Sequence, residues 1–362
     1  MTQLLDRQYR LVVGLPPEIV SVPDDDYIEF NIFKQNTLVG SLDTSLTNDF
    51  RTESGKILRA KEFRELRLIA DVTSSAKAGG AKGGNTTIQL YNLSEESLAI
   101  VEQENAQVIL EAGYYSDFSG EDRTLPLLFT GQTRQVKTIQ SGEDKITVIE
   151  CTAAQAVNDS VRVSKYFPES KSSSEFPSLT ELTGGKVTYE GNTLGTVLEY
   201  LIDIYGQNGV PLGNYVGRAS TEDRVDYVQL LSPDDIPLVN GYSVTGFLHQ
   251  ALDKVTAQCG YIWYIANGRL FVHPRGYTKS VEEFPLDNDL IKSIEGVKDN
   301  KKDKITGVTI STFLDARMTV DKRVKITEGK YEGTYKIVQA THNLDNELGA
   351  WDTVLTCQSL VQ

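Results

Sequence analysis

The segment from Thr86 to Thr152 reads TTIQLYNLSEESLAIVEQENAQVILEAGYYSDFSGEDRTLPLLFTGQTRQVKTIQSGEDKITVIECT. Short runs of alternating and β-branched residues are separated by turn-forming residues, a pattern typical of antiparallel strands. After the first run, the hydroxyl of Ser94 can cap a short helix, and Glu95 and Glu96 then lie at the positive end of the helix dipole. The segment therefore predicts a small antiparallel β unit with one helix laid across it.

A similar pattern returns near the C-terminus. Val324–Gly329 resembles Val108–Gly113, and Thr353–Cys357 resembles Thr147–Cys151, with one cysteine falling on the other. The second copy has no equally clear helix. Self-similarity of this kind indicates a duplicated β-barrel, although two unrelated antiparallel hairpins would share much of the pattern.

At these residues the chain resembles a known family. The motifs YNLSEESL, VILEAGY, LFTGQ and ITVIEC are similar to segments of the baseplate hub proteins of contractile-tailed bacteriophages. The segment GTYKIVQATHNLDNELGAWDTVLTC at residues 333–357 is similar to the end of those hubs. The hub-like head of type VI secretion spikes belongs to the same superfamily, so the resemblance does not separate a phage from a phage-derived injection machine.

The resemblance implies a mainly β (α+β) fold with two similar antiparallel β-barrel domains and a small α+β domain between them. We place the first barrel at residues 1–155 and the central region at residues 156–298. The second barrel then occupies residues 299–362 and is completed by strands from the central region.

The function that the resemblance implies is structural. A homotrimer of such chains forms a pseudo-sixfold ring that connects the sixfold tail tube to the threefold central spike and lets DNA pass as cargo. The expected partners are tail tube or tube-initiator proteins, the central spike protein and the tape-measure protein. The expected location is the tail baseplate of the virion, after assembly in the host cytoplasm.

The composition agrees with a globular protein that does not read DNA sequence. The net charge of −14 disfavours a DNA-reading surface, because such surfaces neutralise phosphates with lysine and arginine. In a ring around the DNA path, the same charge is compatible with an acidic inner wall, and the alternative is that the acids lie on outer surfaces and serve solubility alone. No run approaches ~18 apolar residues, so we expect no insertion into a membrane. The odd, widely spaced Cys151, Cys259 and Cys357 have no metal-ligand spacing and are expected to be buried thiols.

The central region predicts two helices and a hairpin. Ser164–Pro177 has the composition of an extended connection, and Thr193–Tyr205 carries an apolar stripe that Gly206 ends. A second helix is expected to be capped by Ser243 and to continue to Cys259. The predicted hairpin consists of Tyr261–Ile265, the tight turn Asn267-Gly268, and Arg269–His273.

Two polar loops of the first barrel are the candidate contact sites with neighbouring subunits or tail proteins. The connection Thr73–Asn85 lacks the Gly-Lys-Ser/Thr ending of a phosphate loop, which favours a hairpin tip. Ser116–Arg123 is acidic but lacks the ligand spacing of a calcium-binding EF-hand loop, which favours a solvated loop. The residues proposed for contacts are Gly79, Gly80, Gly83, Gly84, Ser116, Asp117, Phe118, Glu121 and Asp122.

The sequence predicts no catalytic, cofactor-binding or metal-binding residues. His249, His273 and His342 have no cysteine or histidine partner at ligand spacing, so each is expected to be a hydrogen-bonded structural residue. Two other functions remain open. One is a carbohydrate-active or carbohydrate-binding β protein that uses the acidic loop Ser116–Arg123. The other is a module that binds a small ligand or peptide through the central α+β domain.

Overall fold

The chain is described by a computed structural model over residues 7–14, 49–51, 57–75, 85–114, 125–172, 189–208, 210, 212–215, 233–266, 268–275, 282–298, 305–320 and 322–360. The first strands are β1 (Arg7–Gly14), β2 (Asp49–Arg51), β3 (Ile57–Phe63), β4 (Leu68–Ser75), β5 (Asn85–Tyr91), β6 (Gln107–Tyr114), β7 (Leu127–Ser141) and β8 (Asp144–Thr152). The central strands are β9 (Arg162–Phe167), β10 (Lys171–Ser172), β11 (Tyr189–Glu190), β12 (Leu212–Tyr215), β13 (Tyr242–Phe247), β14 (Tyr261–Ala266) and β15 (Arg269–Pro274). The last strands are β16 (Glu283–Leu286), β17 (Ile291–Lys298), β18 (Ile305–Phe313), β19 (Arg323–Ile326), β20 (Gly333–Asp345) and β21 (Trp351–Ser359). The α-helices are α1 (Glu95–Val101), α2 (Gln155–Ser160), α3 (Leu194–Gln207) and α4 (Leu248–Cys259).

One large sheet dominates the molecule and confirms the mainly β class. It has 14 strands, and its hydrogen-bonded order is β17-β18-β21-β20-β4-β5-β8-β7-β6-β1-β3-β2. β19 pairs with β20, and β16 pairs with β19 in parallel, whereas the pairs along the main path are antiparallel. The sequence did not predict that strands from both ends of the chain would share one sheet.

The duplication predicted from the sequence is present in the strand order. The first β unit has the order β6-β7-β8-β5-β4, and the second β unit has the order β19-β20-β21-β18-β17. α1 connects β5 to β6, while the corresponding connection between β18 and β19 contains no helix among its described residues.

The register shows that the two β units are equivalent residue by residue. Cys151 lies opposite Thr133, and Cys357 lies opposite Ile337. One residue past each of these pairs, the register shifts at a β-bulge, at Arg134 in β7 and at Val338 in β20. A bulge changes the twist and aim of its strand, so a bulge at the same place in both units indicates the same local shape.

Each β unit has its own hydrophobic core, but four residues of the second unit belong to the first core. Ile88, Leu110 and Ile149 are fully buried in the first core, and Ile310 and Leu355 are fully buried in the second. Residues of the second unit that pack in the first core are Leu314, Ala316, Leu344 and Trp351. The two units therefore share apolar surface as well as hydrogen bonds.

The central region forms a separate core around α3, α4 and the β14–β15 hairpin, with Trp263 and Tyr205 in ring contact. The hairpin prediction is confirmed, and Gly268 adopts a φ of 68° at its turn. α3 begins after Thr193, whose hydroxyl accepts a hydrogen bond from the Thr196 backbone N–H. Gly206 does not end α3, which continues to Gln207.

Three further local predictions were wrong. Ser243 does not cap a helix, because it lies in β13, which pairs with β9, and α4 begins only at Leu248. Gly246, with a φ of 109°, interrupts any continuous helix at this point. β9 itself occupies the start of the segment predicted to be an extended connection. His342, which the resemblance to the hub proteins predicts in a turn, lies inside β20.

The domain boundaries at residues 155 and 298 stay a prediction. None of the helices in the described ranges is long and apolar enough to cross a membrane.

Candidate assembly interface

The loop residues predicted to make contacts lie outside the described residues, namely Gly79, Gly80, Gly83, Gly84, Ser116, Asp117, Phe118, Glu121 and Asp122. The strands that flank the two loops are described. Asn85 and Gln132 both lie opposite Thr152, and Leu127 lies opposite Glu111. Because the pairs are antiparallel, both loops connect to the same end of the sheet.

The histidines and cysteines have structural environments. The Nδ1 atoms of His249 and His273 lie 2.9 and 3.1 Å from the backbone oxygens of Asn158 and Pro274, and Nδ1 of His342 lies 2.9 Å from Oγ1 of Thr353. The three cysteines are buried and form no disulfide, and burial raises their pKa values, to about 11 for Cys259 and about 12 for Cys357. The described residues contain no cluster of ligands that would hold a metal ion.

The feature that suggests a function is the junction between the two β units. β20 pairs with β4 in antiparallel register, from Gln339 opposite Ser75 to Asp345 opposite Ile69. The strands that meet are far apart in sequence, since the Oγ1 atoms of Thr73 and Thr341, 3.3 Å apart, belong to residues separated by 268 positions.

Side chains close one end of this junction, where Asp345 lies opposite Ile69. The amide of Asn346 accepts a hydrogen bond from the Leu68 N–H at 2.8 Å and donates one to the Leu66 oxygen at 3.1 Å. Arg7 donates hydrogen bonds to the backbone oxygens of Asp345 and Gly349 at 2.7 and 2.9 Å. The junction is therefore a continuous, well-bonded strand pair and not a loose contact between domains.

β7 has an open edge at the position where β20 has the junction. β6 pairs with β7 only as far as Gln132, and among the described residues no strand pairs with that edge from Gln135 to Ser141. Most side chains along this stretch are exposed, and Ile139 has 53% of its surface exposed. An exposed edge strand presents unpaired N–H and C=O groups, which another strand can use.

β17 has the second open edge, at the end of the same sheet. Its neighbour on one side is β18, and within the described ranges no strand lies on its other side. Glu295 is exposed there, and Val297 has 40% of its surface exposed. The sheet therefore has an unpaired stretch on β7 and an unpaired edge on β17, and the counterparts of these two strands, β20 and β4, are paired with each other inside the chain.

The face of the sheet that points away from the two cores is polar and carries an excess of acids. Asp352 pairs with Asn343, Asn343 with Asp71, Asp71 with Thr87, and Thr87 with Glu150, so three acidic residues lie in one row across the sheet. Lys137 lies on the same face and forms an ion pair with Glu150 at 3.2 Å. Glu295 and Asp345 add to the negative charge of this face by the same alternation.

Neither open edge was found from the sequence. The alternating pattern of Arg134–Gln140 predicted a strand, but an unpaired edge is a property of the backbone and leaves no signal in one strand. The repeat is the signal that could have revealed the open edges. When the two units are aligned, a strand that is paired in one unit and unpaired in the other stands out.

No family model matches the chain, and no curated protein matches it in sequence. Among solved structures, the 43 kDa tail protein of prophage MuSo2 from Shewanella oneidensis is similar over 83% of this chain and 94% of its own, with a TM-score of 0.51 and 10% identity. A tail protein from Neisseria meningitidis MC58 aligns over 83% and 93% with a TM-score of 0.49 and 10% identity. The E. coli c3393 protein, a type VI secretion component described as similar to the T4 tail proteins gp27 and gp5, aligns over 81% and 73% with a TM-score of 0.46 and 9% identity. The chain thus shares the fold of this 43 kDa prophage tail protein, which agrees with the resemblance to tail proteins found in the sequence.

Proposed function

We propose that the chain is a structural hub of a phage tail baseplate, in which three copies form a ring of pseudo-sixfold symmetry. The ring joins the sixfold tail tube, or its initiator, to the threefold central spike, and it contacts the tape-measure protein. Its role is mechanical and not enzymatic.

The observation that carries this proposal is the equivalence of the two β units in strand order, register and bulge position. Two equivalent units per chain present a sixfold pattern when three chains close around an axis. The two units of each chain are similar but not identical, so the exact symmetry of the ring is threefold. This symmetry suits a threefold partner on the opposite side of the ring. Homo-oligomers generally close by such symmetry.

The decisive experiment is a cryo-EM map of the assembled tail at the level of this protein. We expect three copies around the axis and six β units related by near-sixfold rotation. Six copies, or one, would contradict the proposal. The same map tests whether the loops at residues 76–84 and 115–124 touch neighbouring subunits or tail proteins, as we propose.

The acidic sheet face fits the inner wall of such a ring. DNA that passes through the ring would be held by a basic wall, because each neutralised phosphate releases counterions and strengthens binding. Glu150 and Asp352 form ion pairs with Lys137 and Lys292, but acids are in excess on this face, and its net negative charge repels phosphates. We therefore propose that this face of the sheet lines the DNA path.

Reversing charge on this face should slow DNA ejection. In particles with Asp71→Lys and Glu150→Lys, we expect ejection in vitro to be several-fold slower at low salt, with the defect fading as salt screens the attraction. The matched control is Glu102→Lys with Glu104→Lys. It makes the same charge change at exposed residues near α1, on the side of the first core. Equal defects in both variants would contradict the assignment of this face to the channel.

A further inference from the structure

We propose that the exposed face of the two-stranded β9–β13 ribbon binds a linear, β-linked glycan chain. This surface, which we call the ribbon face, consists of Arg162, Ser164 and Tyr166 of β9 and of Ser243, Thr245 and Phe247 of β13. Glycan binding goes beyond the proposed hub role, and its test does not depend on the ring. It uses different residues from the loop Ser116–Arg123, where the sequence placed a carbohydrate function.

The ribbon has one buried face and one exposed face. Side chains alternate along each strand, and residues that lie opposite each other in an antiparallel pair share a face. Val163 and Val244 belong to the core of the central region and are 5% and 2% exposed. Tyr166 and Ser243 lie opposite each other on the other face, and both are exposed. The ribbon face is therefore a strip of side chains that a packed core supports from behind.

Tyr166 provides an aromatic surface at one end of the ribbon face. The hydroxyl end of its ring packs against Gly241, where a Cβ would lie 2.8 Å from Cζ of Tyr166. Gly241 also has a φ of 70°, which glycine adopts most easily. The ring is thus held against the backbone, yet Tyr166 is 61% exposed. An exposed ring in a fixed place can stack on the C–H face of a sugar, because the face of the ring carries negative partial charge.

The other end of the ribbon face presents hydrogen-bond donors. The guanidinium of Arg162 lies 4.5 Å from the centroid of the Phe247 ring, a favourable place for a cation. The His249 ring stacks with Phe247 at 5.8 Å between centroids, and its Nδ1 lies 2.9 Å from the Asn158 backbone oxygen. These contacts hold the guanidinium in place. Its N–H groups can then donate hydrogen bonds to the oxygen atoms of a sugar.

Hydroxyl groups fill the space between the two ends. Ser164 lies opposite Thr245, Ser243 lies opposite Tyr166, and all these side chains are exposed. A hydroxyl group both donates and accepts hydrogen bonds, as the hydroxyl groups of a sugar do. The distance along β9 from Arg162 to Tyr166 is roughly 13 Å, since a strand rises by about 3.3 Å per residue. The strip is straight, so it suits an extended β-1,4-linked chain better than a coiled α-1,4-linked chain.

The chemistry of the ribbon face favours a neutral ligand that is rich in hydroxyl groups. Its six side chains include one cation, Arg162, and no acid. A nucleic acid needs several lysines or arginines to neutralise its phosphates. Protein–protein interfaces are depleted of serine, whereas this face carries two serines and a threonine. A glycan has apolar C–H faces and a polar rim, which match an aromatic ring beside hydroxyl groups and a guanidinium.

Titration of the full chain with defined oligosaccharides tests the proposal. The probes for isothermal titration calorimetry are chitohexaose and cellohexaose, which are β-1,4-linked, and maltohexaose, which is α-1,4-linked. We expect at least one β-linked chain to bind, which identifies the sugar, and maltohexaose to bind about tenfold more weakly or not at all. If neither β-linked chain binds at about 5 mM, the proposal is wrong. Equal binding of all three chains would contradict the selection of an extended glycan. The hub proposal is tested separately, by the copy number within the tail.

Substitutions at Tyr166 test the location of the site. Tyr166→Ala removes the ring and should weaken binding of the β-linked chain about tenfold, whereas Tyr166→Phe keeps the ring and should retain most of the affinity. The matched control is Phe313→Ala on β18, which removes another aromatic side chain that is 41% exposed. Because these side chains are exposed, the variants should fold normally, and circular dichroism checks this. Unchanged affinity in Tyr166→Ala, or an equal loss in Phe313→Ala, would overturn the assignment. A cryo-EM map of the tail in which another protein covers the ribbon face would also overturn it.

Discussion

Replacing Trp351 with alanine is expected to lower the free energy of unfolding by about 3–5 kcal/mol, the usual cost of removing a large buried aromatic side chain. Trp351 is 2% exposed and packs in the core of the first β unit, although it begins a strand of the second. Its backbone oxygen accepts hydrogen bonds from the Tyr114 hydroxyl at 3.3 Å and from Lys292 at 3.2 Å. The cavity would therefore open at the junction that holds the two units together.

The matched control for this prediction is Trp351→Phe. The indole N–H of Trp351 is buried and has no hydrogen-bond partner among the described residues, so phenylalanine keeps most of the packing and removes no hydrogen bond. We expect it to cost about 1 kcal/mol, a fraction of the alanine effect. Urea unfolding monitored by circular dichroism measures both values, and equal losses in the two variants would show that packing at this position is not the cause.

Acidification from pH 6.5 to pH 4 is expected to remove about 3 kcal/mol of stability through His342 alone. Burial lowers the pKa of His342 from its ordinary value of 6.5 to about 4, and the nearby Asp315 carboxylate only partly opposes this. Because the unfolded chain takes up the proton first, the contribution is complete above pH 6.5 and is lost as the pH falls toward 4. The Thr353 hydroxyl accepts a hydrogen bond from the Asp315 N–H at 3.0 Å and can donate its own proton to neutral Nδ1 of His342.

The test compares the pH dependence of unfolding in three proteins. His342→Asn keeps an acceptor near Thr353 but cannot be protonated, so its stability should vary about 3 kcal/mol less between pH 6.5 and 4. His249→Asn changes a partly buried histidine on α4 and should leave the slope due to His342 in place. Burial raises the pKa of Asp315, but its hydrogen bonds and ion pair with Arg317 lower it further, so the pKa is below its ordinary value and most of the related loss of stability falls below pH 4. If the free energy of unfolding of His342→Asn fell with pH as steeply as that of the unsubstituted protein, the prediction would be wrong.

The elements that the sequence predicted correctly are those specified by neighbouring residues. The Ser94 cap accepts a hydrogen bond from the Ser97 N–H, as the order Ser-Glu-Glu indicates. Gly260 ends α4 with a φ of 68°, which only glycine adopts easily. The prediction that Ser243 caps a helix also relied on neighbouring residues alone, and it was wrong. Its local pattern suits a helix, but pairing between β13 and β9 supplies its backbone partners instead.

Such local patterns could not predict the candidate interface. The contact between Thr73 and Thr341 joins distant parts of the chain, and no pattern in β4 or β20 alone names its partner. Trp351 belongs to the closing segment that resembles the end of the hub proteins, yet its place in the core of the other unit depends on that same distant pairing. The repeat was predictable because its detection requires only a comparison of two parts of one sequence and no knowledge of which strands pair.

The covalent connection of the two β units also has a consequence for assembly kinetics. In a proposed ring of six units, every second joint is the β4–β20 pair and forms within one chain, at the high effective concentration that a tether provides. Only the three remaining joints require collisions between separate molecules, and each collision costs translational and rotational freedom. A ring built this way closes after fewer encounters than one made from six separate barrels, so it can nucleate a tail at a lower concentration of free protein.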